Sequence, residues 1–228
     1  MGLARLAGAP GAAAGLTARL APAVLLVLLA AACASSGGGS SHAPPVRSEQ
    51  ARVARMVLAA GDLAGYVVRA TGSEVLQDQM PPPREPRAAL VRRLVRASWV
   101  ASANSTLVAR AGGGPPIFSD ANLFAGVPAA RRIFALELAP VPGIASRSLP
   151  LPPGAPAGAA FDSLRRGGRT EYELSWREGP VIGLLIAQVR AGTVGPGADP
   201  RAIGATLVRA SAAQSRRIAD ALGAALAV

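Results

Sequence analysis

Glu171 and Glu173, two residues apart in a stretch of alternating polarity, are the best-spaced carboxylates in the sequence. On a strand they share one face about 7 Å apart, a separation that a glycosidase pair could use. The same spacing also describes the solvent face of an amphipathic strand, with Arg169 and Arg177 near enough to balance the charge. Asp120 and Asn122 repeat the pattern on the way to Phe124, and the same two readings apply, a polar site or a solvated face. Composition removes most other chemistry. The only histidine is His42, so neither a histidine triad nor a multi-histidine metal site can form within one chain. Lysine is absent, which excludes Schiff-base and Ser–Lys catalysis and a phosphate loop with its lysine. No catalytic residue, metal ligand or cofactor is therefore assigned. A hydrolase working through carboxylates alone is the one enzymatic alternative left open.

The remaining reactive group is Cys33, the only cysteine in 228 residues. Residues 1–20 carry Arg5 and Arg19 and no acid, and residues 21–32 form an apolar run of 12. Such a run is too short for a spanning helix, which needs about 20 residues, but has the length of a secretory h-region. Ala30, Ala31 and Ala32 form a cleavable end, because a signal peptidase pocket admits only small side chains there. From Ala34 the chain turns to Gly and Ser, then continues through His42 and Pro44-Pro45, reading as a flexible tether to about Arg52. The boundaries expected are a signal peptide at 1–32, a tether at 33–52 and one folded domain at 53–228.

Within that domain, half-apolar composition with 4% aromatic residues predicts a core of Leu, Val, Ile and Ala. The formal charge of +11 comes entirely from arginine, spread along the chain without the clustering or aromatic interleaving of a nucleic-acid site. Nucleic acid is therefore not an expected partner; anionic lipid or an acidic envelope polymer uses the charge better. Strands are predicted at Tyr66–Arg69, Ser98–Arg110 and Ile117–Ala125, the last two antiparallel across a Gly-Pro turn. Pro86 starts a helix with Leu90, Val91, Leu94 and Val95 inward and arginines outward, and Pro128 starts another with Ile133, Phe134 and Leu138 inward. Residues 139–160 read as loop. Thr170–Trp176 alternates, the chain turns at 177–180, and Val181–Val189 is nearly all apolar, as a central strand covered on both faces would be. Asp199 caps a last helix from Pro200, with Ile203, Leu207, Ile218, Leu222 and Leu226 in register. The sum is an α+β domain, an antiparallel sheet packed with helices.

The apolar run, the small residues, Cys33 and the Gly/Ser stretch together resemble the lipobox of bacterial lipoproteins, with Ala30 where Leu is usual. The resemblance implies a diacylglyceryl group on the Cys33 thiol and cleavage just before it. Asp62-Leu63-Ala64-Gly65-Tyr66 resembles the lead-in of many actinobacterial envelope lipoproteins, without its usual proline. The Trp176-Arg177-Glu178-Gly179 turn is similar to theirs as well. This likeness, over residues 57–226, implies a PsbP-like α/β/α sandwich and partner binding rather than catalysis. The expectation is a protein on the extracytoplasmic face of the cell membrane, held there by acylated Cys33, or secreted if that thiol stays bare. Its role would be binding an envelope protein, lipid or acidic polymer. The second reading is a carrier holding an apolar ligand between sheet and helices.

Overall fold

A computed structural model describes residues 44–74, 93–110, 114–138, 146–166, 168–190, 192 and 199–223, all within one compact unit spanning 32–228. Helix α1 (Pro44–Ala54) leads to strand β1 (Tyr66–Glu74), and helix α2, described over 93–98, precedes β2 (Trp99–Ala109). Next come β3 (Ile117–Phe124), α3 (Val127–Glu137), β4 (Ser146–Ser148) and β5 (Ala160–Arg166). The hairpin β6 (Arg169–Glu178) and β7 (Val181–Arg190) leads to the long helix α4 (Pro200–Gly223). The seven strands form one antiparallel sheet in the order β1-β2-β3-β7-β6-β5-β4. Two meanders, β1 to β3 and β4 to β7, thus meet at the β3–β7 pairing. The α+β class expected from the sequence is the class found.

Because side chains alternate across a strand, the sheet has two distinct faces. The inner face carries Ala103, Leu107, Ile117, Ala121, Leu174 and Leu185, and buries them against α4 and the segment from Val53 to Leu63. The outer face packs Phe124 and Ile182 against Val95 of α2 and Ala130, Ile133 and Phe134 of α3. Helices therefore cover both faces. β7 sits at the centre of the seven, and its run from Val181 to Ala187 is buried at every position. That is why its sequence shows no alternation: both sides face protein. Gly183 has a packing role there, since a Cβ at this position would lie 2.6 Å from the Trp176 indole.

Several expectations need correcting. The tether was expected to run to about Arg52, yet α1 starts at Pro44, with Pro44 and Pro45 suited to a first turn. Tertiary contacts hold this helix: Val53 is buried, and Gln50 Nε2 donates to the Ser102 carbonyl at 2.7 Å. Residues 139–160 were read as loop, but β4 pairs there along the sheet edge, with Ser146 opposite Leu164. β4 is three exposed residues, so it offers no hydrophobic alternation to read. β5 escaped prediction too. Its Phe161 is buried but Asp162, Ser163 and Leu164 are only partly so, which blurs the pattern. Leu138, expected inward, is exposed just past the end of α3. The hairpin strands run to Glu178 and from Val181, leaving only Gly179 and Pro180 as the turn. The signal peptide, Ala32, Cys33 and His42, the helix start at Pro86 with Leu90 and Val91, and Leu226 lie outside the described residues.

Candidate functional site

The carboxylates singled out in the sequence stand on the outer face of the sheet. Glu171 and Glu173 point there from β6, paired with Gln188 and Ile186 of β7. On the other side β5 brings Asp162 directly opposite Glu173, adding a third carboxylate that sequence spacing did not offer. Glu171 accepts from Gln188 Nε2 at 3.0 Å, and Asp162 accepts from Ser148 Oγ at 2.7 Å. Glu173 lies between them beside the apolar face of β7. Burial, followed by the like charges of Asp162 and Glu171, pushes its carboxyl up to about 7. Of the two arginines expected to balance it, Arg177 donates through Nη1 to the Gly179 carbonyl at 3.0 Å and closes the hairpin turn, while Arg169 stands exposed at the far end of β6 opposite Arg190. Glu173 is therefore not on a simple solvated face.

Asp120 departs further from that reading, with 0% of its surface exposed. It accepts from Asn122 Nδ2, and Asn122 Oδ1 accepts in turn from Trp99 Nε1 at 3.3 Å. Asp120 is paired with Leu184, which along with Ile182 and Ile186 gives the middle of the outer face its apolar surroundings. The two acidic groups stand on different strands on either side of β7. Among the described residues, no group of three or more His, Cys, Asp or Glu side chains is placed to hold a metal ion.

The inner face carries polar groups that sequence reasoning missed. Ser105, Ser119 and Gln214 are fully buried in one hydrogen-bonded chain. Ser105 Oγ donates to the Leu58 carbonyl at 2.7 Å, and the Leu58 amide donates to Ser119 Oγ at 3.1 Å. Ser119 Oγ donates to Gln214 Oε1 at 2.9 Å, and Gln214 Nε2 donates to the Asp120 carbonyl at 2.7 Å. Both backbone groups of Leu58 and both amide atoms of Gln214 are thereby satisfied, which is the condition for burying them. The available signal was polar residues at inward positions of apolar strands and of the helical stripe.

The two motifs behind the lipoprotein resemblance do architectural work. Asp62 accepts from the Ala59 amide at 2.7 Å and forms an ion pair with Arg217, so it closes its own turn and pins α4. Arg217 also donates to the Arg55 carbonyl at 3.2 Å. Gly65 adopts φ +82°, a conformation that favours glycine, and delivers Tyr66 into β1. Gly179 at φ +57° performs the same service in the hairpin turn.

A hollow of about 550 Å³ lies over the β1–β2 edge, lined by Arg69, Ala70, Thr106, Val108, Gly114 and Pro116. It is an open groove on the surface at the sheet edge. Beside it, Tyr66 donates to the Pro115 carbonyl at 3.3 Å; burial raises its hydroxyl pKa, with Arg209 pulling the other way. No known family pattern matches this chain, and no curated protein is detectably similar to it.

Proposed function

We propose that this chain is a bacterial cell-envelope lipoprotein, cleaved after Ala32, acylated on Cys33 and held on the extracytoplasmic face of the membrane. Its folded domain serves as a non-catalytic binding module for another envelope component. The observation that carries the reading is the position of the single cysteine. It ends an apolar run of secretory length and precedes a Gly/Ser stretch, ten residues before α1 begins at Pro44. Those ten residues reach at most about 35 Å, enough to hold a domain close to a bilayer. Two or three acyl chains, at about 0.8 kcal/mol per buried methylene, anchor stably where one chain is marginal.

The domain suits display more than chemistry. Its motif residues Asp62, Gly65 and Gly179 are committed to turns and an ion pair. A PsbP-like sandwich belongs to the same proposal, supported by helices on both faces of the sheet. Replacing Cys33→Ser tests the anchor. Fractionation of cells making this variant should move the protein from the membrane pellet to the soluble or secreted fraction. Retention in the pellet, extracted by detergent as the parent is, would overturn the reading.

A further inference from the structure

We infer that the outward face of α3, together with α2 beside it, lies on the anionic surface of the bilayer that holds the anchor. Two of the three strongly exposed large apolar residues among those described cap this one helix. Val127 is 46% and Leu138 42% exposed. Between them Arg131 and Ala135 are also exposed, and the spacing 127, 131, 135, 138 is that of one helical stripe. Arg132 stands exposed alongside. The adjoining side of α3, through Ala130, Ile133 and Phe134, is buried against Val95 of α2. α2 turns Arg93 and Arg96 outward next to this stripe. Among the described residues the ion pairs that form are Arg52–Glu49 and Arg217–Asp62, and neither involves these four arginines. Apolar ends with cations between them match an interface of acyl boundary and phosphate headgroups.

The position of α1 points the same way. Gln50 reaches Ser102, whereas Leu58, eight residues later, is held by Ser105 and Ser119. The start of α1 therefore points toward the Trp99–Phe124 end of the sheet, where α2 and α3 also sit. A chain rising from the membrane to Pro44 would bring that end down first. This inference rests on the envelope-lipoprotein reading for its bilayer, and on the exposed stripe for its orientation.

The full chain carrying Cys33→Ser and Ala135→Cys has one thiol, which takes an environment-sensitive dye. It is mixed with phosphatidylcholine vesicles, either pure or containing about a quarter phosphatidylglycerol. The dye should shift to the blue only with the anionic vesicles, and high salt should reverse the shift. Adding Arg131→Gln and Arg132→Gln should weaken the response roughly 25-fold, about fivefold per arginine. A dye at Ala212→Cys, on exposed α4 across the sheet, should stay silent. Binding by the amino-terminal segment, whose Arg5 and Arg19 also favour anionic vesicles, is common to all these chains, so it is read from the Ala212→Cys dye and is not altered by the paired Arg→Gln change. Equal shifts on neutral vesicles, or indifference to the paired Arg→Gln change, would overturn the docking surface. Acyl mass on Cys33 is read separately. The anchor can therefore fail while the vesicle response stands, or hold while the docking surface falls.

Discussion

The inner and outer faces of the sheet handle buried polarity in opposite ways. On the inner face Ser105, Ser119 and Gln214 neutralise one another's needs and those of Leu58, and no charged side chain enters the chain. On the outer face Glu173 sits beside two other carboxylates, and Arg177, four residues later in sequence, is turned to the hairpin carbonyl. The first arrangement fixes how α4 and the segment after α1 dock on the sheet. The second costs stability at neutral pH and contributes no docking bond.

Breaking the inner chain should have the largest effect. Gln214→Leu keeps the volume but removes the acceptor of the buried Ser119 hydroxyl and the donor to the Asp120 carbonyl. Urea unfolding should show a loss of about 2–4 kcal/mol with little change in the slope. A loss within experimental error would mean the chain is not what holds α4.

On the outer face the sign reverses. Glu173 has its folded-state pKa raised from 4.5 to about 7, so the folded protein binds the extra proton across that range. Its contribution is therefore favourable at acid pH and is lost as pH rises from about 4.5 to about 7. Glu173→Gln should stabilise the protein by about 1–2 kcal/mol at pH 8 and change little at pH 5, the modest size reflecting its partial exposure to water. If this variant were destabilised equally at both pH values, the contrast between the faces would collapse.

The strands with one clean signal were legible in the sequence, and those with divided surroundings were not. Thr170–Trp176 alternates because Tyr172, Leu174 and Trp176 face α4, and Val181–Ala187 is uniformly apolar because it is covered twice. Asp199 and Pro200 announced the last helix, and Asp199 does cap it, accepting from the Arg201 amide at 3.0 Å. β4 and β5 lie toward an edge and mix exposed with buried positions, so no period survives to be read. α1 is held by contacts with β2 that only the folded chain brings together. The outer-face carboxylates were found as residues but misjudged in surroundings. Asp162 reaches Glu173 only through the β5–β6 register, and Asp120 is buried through its place beside β7.

Whether Cys33 is the anchor is decided by intact mass spectrometry of the protein extracted from its own membranes. The mature chain should begin at Cys33 and carry the added mass of a diacylglyceryl group, with or without a further acyl chain on the new amino terminus. A membrane-bound chain with an unmodified Cys33, or a mature chain that begins beyond it, would rule out the lipid anchor.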